Sequence, residues 1–192
     1  MMGRDTRIGR NMSTISNIYR EEHWINKFGF NVDIDIGTED VWTRGGKWVP
    51  PTQARIHQLV STEAADDLTG TGARTVKVFG LDTNFDEISE IVDMDGTVNS
   101  PTTNSYLRIH RLEVITVGSG EINAGVISAT ADTDGTVTAE IAIGDGQTQM
   151  AIYTIPRGFT GYMTFFDIHI DPTNNFIGTL KIKSRKDNTG PW

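Results

Sequence analysis

Apolar and polar residues alternate in short stretches along the chain from Arg55 onward. In Val76-Lys77-Val78 and in Leu180-Lys181-Ile182-Lys183 the residue class changes at every step, which is the period of a β-strand with one covered face. The pattern predicts nine strands: Arg55–Thr62, Arg74–Leu81, Glu87–Met94, Ser105–Val117, Gly125–Ala131, Thr136–Ile143, Thr148–Ile155, Gly161–Ile170 and Ile177–Ser184. Because no helical period separates them, we predict an all-β fold, a β-sandwich or jelly roll.

Turn-forming residues lie between several of these strands. Asp-Gly pairs occur at Asp95-Gly96, Asp134-Gly135 and Asp145-Gly146, and such pairs accept the positive φ of tight hairpin turns. The acidic stretch Asp82 to Asp86 is similar to the opening of a calcium-binding loop, but Glu87 stands where that loop needs glycine. We therefore predict a turn in which Asp and Asn side chains bond to the local backbone.

The first quarter of the chain has a different character, and Pro50-Pro51 ends it. No period of 2 or 3.6 is sustained there, which predicts an extended, irregular N-terminal arm over residues 1–51 and a β-sandwich domain over residues 52–192. Large apolar side chains rimmed by polar residues mark interaction surfaces. The candidate partner contacts are the aromatic residues of the arm: Trp24, Phe28, Phe30, Trp42 and Trp48. The alternative is that these side chains pack back on the β domain as a lid.

Composition narrows the classes of function. The 192 residues carry a formal net charge of -8 at pH 7 and contain no cysteine. The acidity argues against binding to nucleic acid, which requires neutralisation of phosphates. The lack of cysteine excludes disulfides and thiolate metal sites. Neither a signal-peptide run nor a stretch of ~20 apolar residues occurs, so we expect a soluble chain with no membrane partner.

No catalytic or cofactor-binding motif emerges from the residues. The histidines stand apart from one another: His23, His57, His110 and His169. The last three fall within predicted strands, where a structural role is the favoured interpretation. The glycine-rich stretches Thr69–Ala73 and Gly118–Gly120 lack the fingerprints of nucleotide-binding loops, and no nucleophile elbow occurs. We therefore predict neither an enzyme nor a metal or cofactor site.

Several segments are similar to a widespread group of structural proteins of tailed bacteriophages. The similarity spans roughly Ile25 to Ile170. These stretches carry it: Asp40-Val41-Trp42, Gly45 to Trp48, Gly72 to Val92, Ser100 to Arg111, Gly118 to Ala124 and Gly146 to Pro156. The resemblance implies a virion component, and we expect a capsid decoration (cement) protein on the outer surface of the shell. Its expected partners are the major capsid protein and further copies of itself, as a homotrimer, after a soluble phase in the host cytoplasm.

Three other functions are open alternatives. One is a tail, fibre-base or head-tail connector protein, which differs from a cement protein in its much lower copy number per particle. Another is a carbohydrate-binding sandwich for host attachment, which exposed aromatic platforms on a sheet would support. An enzyme such as a surface polysaccharide hydrolase is the least favoured, because no catalytic constellation is visible.

Overall fold

A computed structural model describes residues 24–34, 37–169 and 179–184. These residues form seven strands: β1 (His57–Ser61), β2 (Ala73–Leu81), β3 (Glu87–Asp93), β4 (Ser100–Pro101), β5 (Arg108–Val117), β6 (Ile127–Ala131) and β7 (Val137–Ile141). They contain no helix, and hence no helix that could cross a membrane. The all-β prediction is confirmed. The chain divides into two compact units, of which the first ends at Phe159 and the second begins at Thr160.

The strands form two antiparallel sheets, both within the first unit. One sheet has the order β4-β1-β6-β7 and the other has the order β3-β2-β5. In the first sheet, Leu59 lies opposite Ala129. In the second, Val78 lies opposite Glu90 on one side and Leu112 on the other. Two antiparallel sheets with a shared apolar core are the arrangement of a β-sandwich, as the alternation predicts.

A single apolar core draws on both sheets. Side chains alternate between the two faces of a strand, so β1 buries His57, Leu59 and Ser61 while the residues between them are half-buried. The buried cluster contains residues from both sheets and from the connecting segments: Trp42, Trp48, Leu59, Val76, Val78, Met94, Tyr106, Ile109, Leu112, Ile127, Ala129, Ile141 and Met150. Each of the larger apolar side chains stabilises the fold by about 1.5–3 kcal/mol, so this cluster is what holds the sheets together.

Two predicted turns join neighbouring strands. Between β2 and β3, the Asp82 carboxylate accepts hydrogen bonds from the backbone N–H groups of Asn84 (2.7 Å) and Asp86 (2.9 Å), which confirms the predicted turn. Asp134-Gly135 lies between β6 and β7, and Gly135 has a φ of 66°. Asp95-Gly96 also has a positive φ at its glycine, 60°. The turn is tight, because the N–H of Val98 donates to the carbonyl of Asp95 (3.0 Å). It leads from β3 to β4, which lies in the other sheet.

The predicted strand Thr148–Ile155 does not form. The chain here makes only isolated bridges, one between Gln147 and Glu113 and one between Met150 and Trp42. The chain around Trp42 is itself irregular, so no continuous ladder can develop along it. Asp145-Gly146 is therefore followed by a segment that runs beside β5 and does not form a hairpin.

The predicted strands Gly161–Ile170 and Ile177–Ser184 are also absent where they are described, at residues 161–169 and 179–184. Residues 170, 177 and 178 lie outside the described part of the chain. The short strand Ser100–Pro101 was not predicted, because two residues show no period. Alternation reports the two faces of a strand, but a strand also needs a neighbour with free backbone groups, which local sequence does not reveal.

A buried carboxylate joins the two long connections that cross between the sheets. Asp66, in the β1–β2 connection, has no exposed surface. One of its oxygens accepts the backbone N–H groups of Ala73 (2.7 Å) and Ala124 (2.8 Å). The other accepts the N–H of Gly125 (2.8 Å) and the hydroxyl of Ser61 (2.6 Å). Ala124 and Gly125 belong to the β5–β6 connection, so one side chain fixes these two of the four connections that pass between the sheets.

We expect Asp66→Asn to lower the free energy of unfolding by about 3 kcal/mol. The amide keeps one acceptor oxygen and turns an N–H₂ donor toward groups that are themselves donors. Asp67→Asn is the matched control, because Asp67 is outside the core and, among the described residues, its carboxylate accepts hydrogen bonds only from the N–H and the hydroxyl of Thr69 (2.8 and 2.7 Å). The control should cost less than about 1 kcal/mol. Urea unfolding measures both; equal losses would contradict the role given to Asp66.

Candidate partner-contact surface

Residues 28–34 present a row of apolar side chains to solvent. Phe28, Phe30, Val32 and Ile34 occupy every second position and are 46%, 55%, 76% and 50% exposed, and Trp24 ahead of them is 78% exposed. At this spacing the side chains of an extended segment share one side. These five side chains are called the apolar row below. Three of them, Trp24, Phe28 and Phe30, are predicted partner contacts, and the structure places them on the surface.

The segment that bears the apolar row is attached to the first unit. The Lys27 ammonium group donates a hydrogen bond to the carbonyl of His110 (2.7 Å). The N–H of Phe30 donates to the carbonyl of Gln149 (3.4 Å). Between them, Gly29 lies so close to Ala151 and Val41 that a Cβ atom would overlap their atoms. The chain therefore passes directly over the sandwich at this glycine, and the row begins from an anchored position.

Polar groups on the same segment are satisfied by the chain itself. The Asn31 amide donates to the Glu39 carboxylate (2.9 Å), and the Asn31 side-chain oxygen accepts the N–H of Asp33 (3.1 Å). The same Glu39 carboxylate accepts the N–H of Gly46 (3.0 Å). Internal bonds thus hold the polar residues, whereas the side chains of the apolar row are left largely exposed by the rest of the described residues.

Trp42 and Trp48 occupy a different place from the one predicted. They are only 3% and 7% exposed and belong to the core, so for them the lid interpretation is the correct one. The indole N–H of Trp48 donates to the carbonyl of Thr138 in β7 (2.8 Å). Its backbone N–H donates to the Asp40 carboxylate (2.8 Å). Aromatic content alone could not separate these two residues from Trp24, because burial depends on which aromatic ring reaches the gap between the sheets.

The two histidines in the strands, His57 in β1 and His110 in β5, are buried. Burial lowers the pKa of His57 to about 4, although a hydrogen bond to the Arg55 carbonyl raises it in part. Burial and the charge of Lys27 lower the pKa of His110 to about 3. The Nε2 atom of His110 accepts the N–H of Thr154 (3.2 Å). His169 lies outside any strand, and His23 lies outside the described residues.

Lys27 is held in an unusual environment for a lysine. Burial and the nearby Arg111 charge lower the pKa of Lys27 to about 8. A shallow hollow of about 240 Å³ lies beside the His110 ring, lined by Phe79, Gly80, Glu87, Ile88, Ser89 and His110. His110 cannot act as a base toward this hollow through Nε2, since Thr154 occupies that atom.

The acidic turns do not gather into a metal site in the described part of the chain. No group of three or more His, Asp or Glu side chains with metal-binding geometry occurs among these residues. Asp82 directs its oxygens to its own turn. Asp132 accepts the Gln58 amide (3.1 Å), and Asp134 accepts the Arg55 guanidinium (3.4 Å).

Comparisons with protein-family models, with characterised proteins and with solved structures find no match to this chain.

The two buried tryptophans provide a stability test of this arrangement. We expect Trp48→Phe to lower the free energy of unfolding by about 1 kcal/mol more than Trp42→Phe, because only Trp48 loses a hydrogen bond to β7. The indole N–H of Trp42 is buried without a hydrogen-bond partner among the described residues, so it is the matched control for the same change in ring size. Denaturant titrations give both values, and a larger loss at Trp42 would overturn the assignment.

Acid should destabilise the protein through its two buried histidines. In the folded protein the pKa values of His57 and His110 lie below 6.5, the ordinary value, so the unfolded chain takes up protons first as pH falls. Their stabilisation is full above about pH 6.5 and is lost progressively as the pH falls toward about 4 for His57 and about 3 for His110. Each histidine should contribute about 2 kcal/mol to the loss between pH 7 and pH 5.

Unfolding titrations at several pH values measure this slope. His57→Gln should remove about half of it, because glutamine does not titrate. A stability that is the same at pH 7 and pH 5 would show that the histidines are not buried as neutral rings.

Proposed function

We propose that this chain is a non-enzymatic structural protein of a tailed-phage virion, a capsid decoration protein. It binds the outer surface of the shell and bridges subunits of the major capsid protein. The observation that carries the proposal is the apolar row, a line of large side chains that is anchored on the sandwich and exposed among the described residues. The resemblance to phage structural proteins supplies the partner.

The energetics of the apolar row favour a protein partner. Burying one large apolar side chain is worth about 1.5–3 kcal/mol, and five of them on one segment would supply a substantial share of a binding energy. Aromatic residues such as Trp24, Phe28 and Phe30 are also preferred anchors at protein interfaces. The bonds of Lys27 and Asn31 already order the segment, so less conformational entropy is lost on docking.

The charge of the chain suits the same role. A decoration protein must stay in solution until a shell is present, and a net charge of -8 favours this through weak electrostatic repulsion between molecules. The carbohydrate-binding alternative receives less support. Phe79, an aromatic residue on the β3-β2-β5 sheet, has the Lys77 ammonium 4.6 Å and the Arg111 guanidinium 5.7 Å from its ring centre, so its ring is not an open platform for a sugar.

The first test is binding to purified shells that lack this chain. The double variant Phe28→Ser with Phe30→Ser removes two aromatic rings from the apolar row and should weaken binding at least about tenfold. The control is Val98→Ser with Ile143→Ser, which removes two side chains of similar exposure, 56% and 63%, from outside the row. Co-sedimentation with shells measures the bound fraction. Equal binding by both variants would contradict the assignment of the apolar row as the contact with the shell.

Copy number in purified virions tests the location. Quantitative mass spectrometry against the major capsid protein should give one copy per shell subunit, or one per few. A dozen copies or fewer per particle would move the protein to the tail or the connector. Absence from virions would remove the structural proposal altogether.

A further inference from the structure

The buried His110 of β5 contacts two segments that belong to no strand. The Lys27 ammonium group donates to the His110 carbonyl (2.7 Å). The N–H of Thr154 donates to the Nε2 atom of the His110 ring (3.2 Å), and the centre of the Tyr153 ring lies 4.4 Å from that of the imidazole. The segment of the apolar row and the chain after β7 are thus both attached to β5 at one residue.

The register of the sheet explains how His110 can make these contacts. Phe79 of β2 lies opposite Arg111, whereas the next residue, Gly80, lies opposite Ile109. His110 is therefore an extra residue in β5, at a β-bulge, and a bulge changes the direction in which a side chain points. Ile109 belongs to the core, while the imidazole that follows it reaches a segment outside the sheet.

Few hydrogen bonds hold residues 152–157, which are called the strap below. Among the described residues, two backbone N–H groups of the strap are bonded to the sheet and its turn: that of Thr154 to the imidazole, and that of Arg157 to the Phe85 carbonyl (2.8 Å). The exposed ion pair between Arg157 and Asp86 (2.9 Å) adds little. Because no strand includes the strap, it can detach while both sheets remain formed.

The bond from Thr154 requires a neutral ring. The Nε2 atom accepts a hydrogen bond only while it carries no proton, and a protonated Nε2 would direct a second donor at the N–H of Thr154. Burial opposes the charged form of His110, and so do the charges of Lys27 and Arg108. Protonation therefore breaks the middle attachment of the strap and adds a cation close to two others.

The remaining charged and titratable groups near the ring offset this effect little. Glu87 of β3 lines the same hollow as the imidazole, but it is exposed to solvent, which screens its charge. Tyr153 is neutral at any pH below its own pKa, which burial raises to about 12. The Arg111 guanidinium is paired with Glu113 (2.9 Å). Of these groups, only Glu87 would favour an imidazolium.

We propose that His110 is an acid-sensitive latch, whose protonation detaches the strap from β5 while the two sheets stay formed. Detachment exposes the imidazole to water, where its pKa returns to the ordinary value of 6.5. The strap is therefore held fully above about pH 6.5, and it opens increasingly as the pH falls toward the lower pKa of the closed form. The inference does not depend on the virion function proposed above.

Hydrogen exchange at the Thr154 amide measures the opening of the strap. Followed by NMR in the full chain and corrected for the intrinsic exchange rate, its protection factor should fall about 25-fold between pH 7 and pH 5. The amides of β2, the central strand of the same sheet, should stay at least about tenfold better protected than Thr154 at both pH values. Equal protection of Thr154 at pH 7 and pH 5 overturns the latch. Equal protection of Thr154 and β2 at pH 5 does so too, because the opening would then be global unfolding.

Two glutamine variants form a matched pair for the same measurement. In His110→Gln the side-chain carbonyl can still accept the N–H of Thr154 but does not titrate, so the fall in protection between pH 7 and pH 5 should disappear. His57→Gln replaces the other buried histidine, whose ring bonds to the Arg55 carbonyl (3.0 Å) in the other sheet, and should keep the fall. An unchanged fall in His110→Gln, or its loss in His57→Gln, contradicts the latch. If His110→Gln does not fold, the comparison of Thr154 with β2 in the natural chain still decides.

Discussion

The fold depends on one buried carboxylate. A sandwich of two sheets must pass its chain from one sheet to the other, and here the β1–β2 and β5–β6 connections do so side by side. Asp66 accepts four hydrogen bonds across these connections. A buried charge is tolerated only when such bonds replace its hydration, so the loops must keep their positions for the charge to stay inside. The ends of β2 and β6 are placed by the same constraint.

The alternation of residues was sufficient to predict the central strands. β2 and β5 follow the pattern of Val76-Lys77-Val78 and its neighbours. Both end at the predicted residue, and their first residues differ from the predicted ones by one in β2 and by three in β5. Asp66 could not be recognised in the same way. It stands next to Asp67, and no local feature distinguishes the carboxylate that is buried from the one that is exposed. That difference arises only when Ala124 and Gly125 arrive from a distant part of the chain.

The candidate surface was partly predictable for a similar reason. Aromatic content marked five residues, but the rings of Trp42 and Trp48 fill the gap between the sheets, which only the tertiary structure reveals. The exposed residues could have been recognised from the sequence, because apolar residues occupy every second position from Phe28 to Ile34. The intervening Gly29 and Asn31 are typical of turns, which makes this alternation easy to overlook. For the segments after Phe159 the sequence pattern is clear, but the predicted strands do not form where the residues are described. The pattern predicts a strand and does not reveal which neighbouring strand it would pair with.

The hydrogen bonds of Asp66 also limit how early the chain can fold while it is being synthesised. Its N–H donors at Ala124 and Gly125 lie 58 and 59 residues further along the chain. A nascent chain that has emerged only as far as β5 holds the carboxylate but lacks half of its donors, and burying it then would be costly. We therefore expect cotranslational folding of the sandwich to wait until the β5–β6 connection has left the ribosome. Non-local closure of this kind is slow, and early β-strands remain exposed to aggregation in the interval.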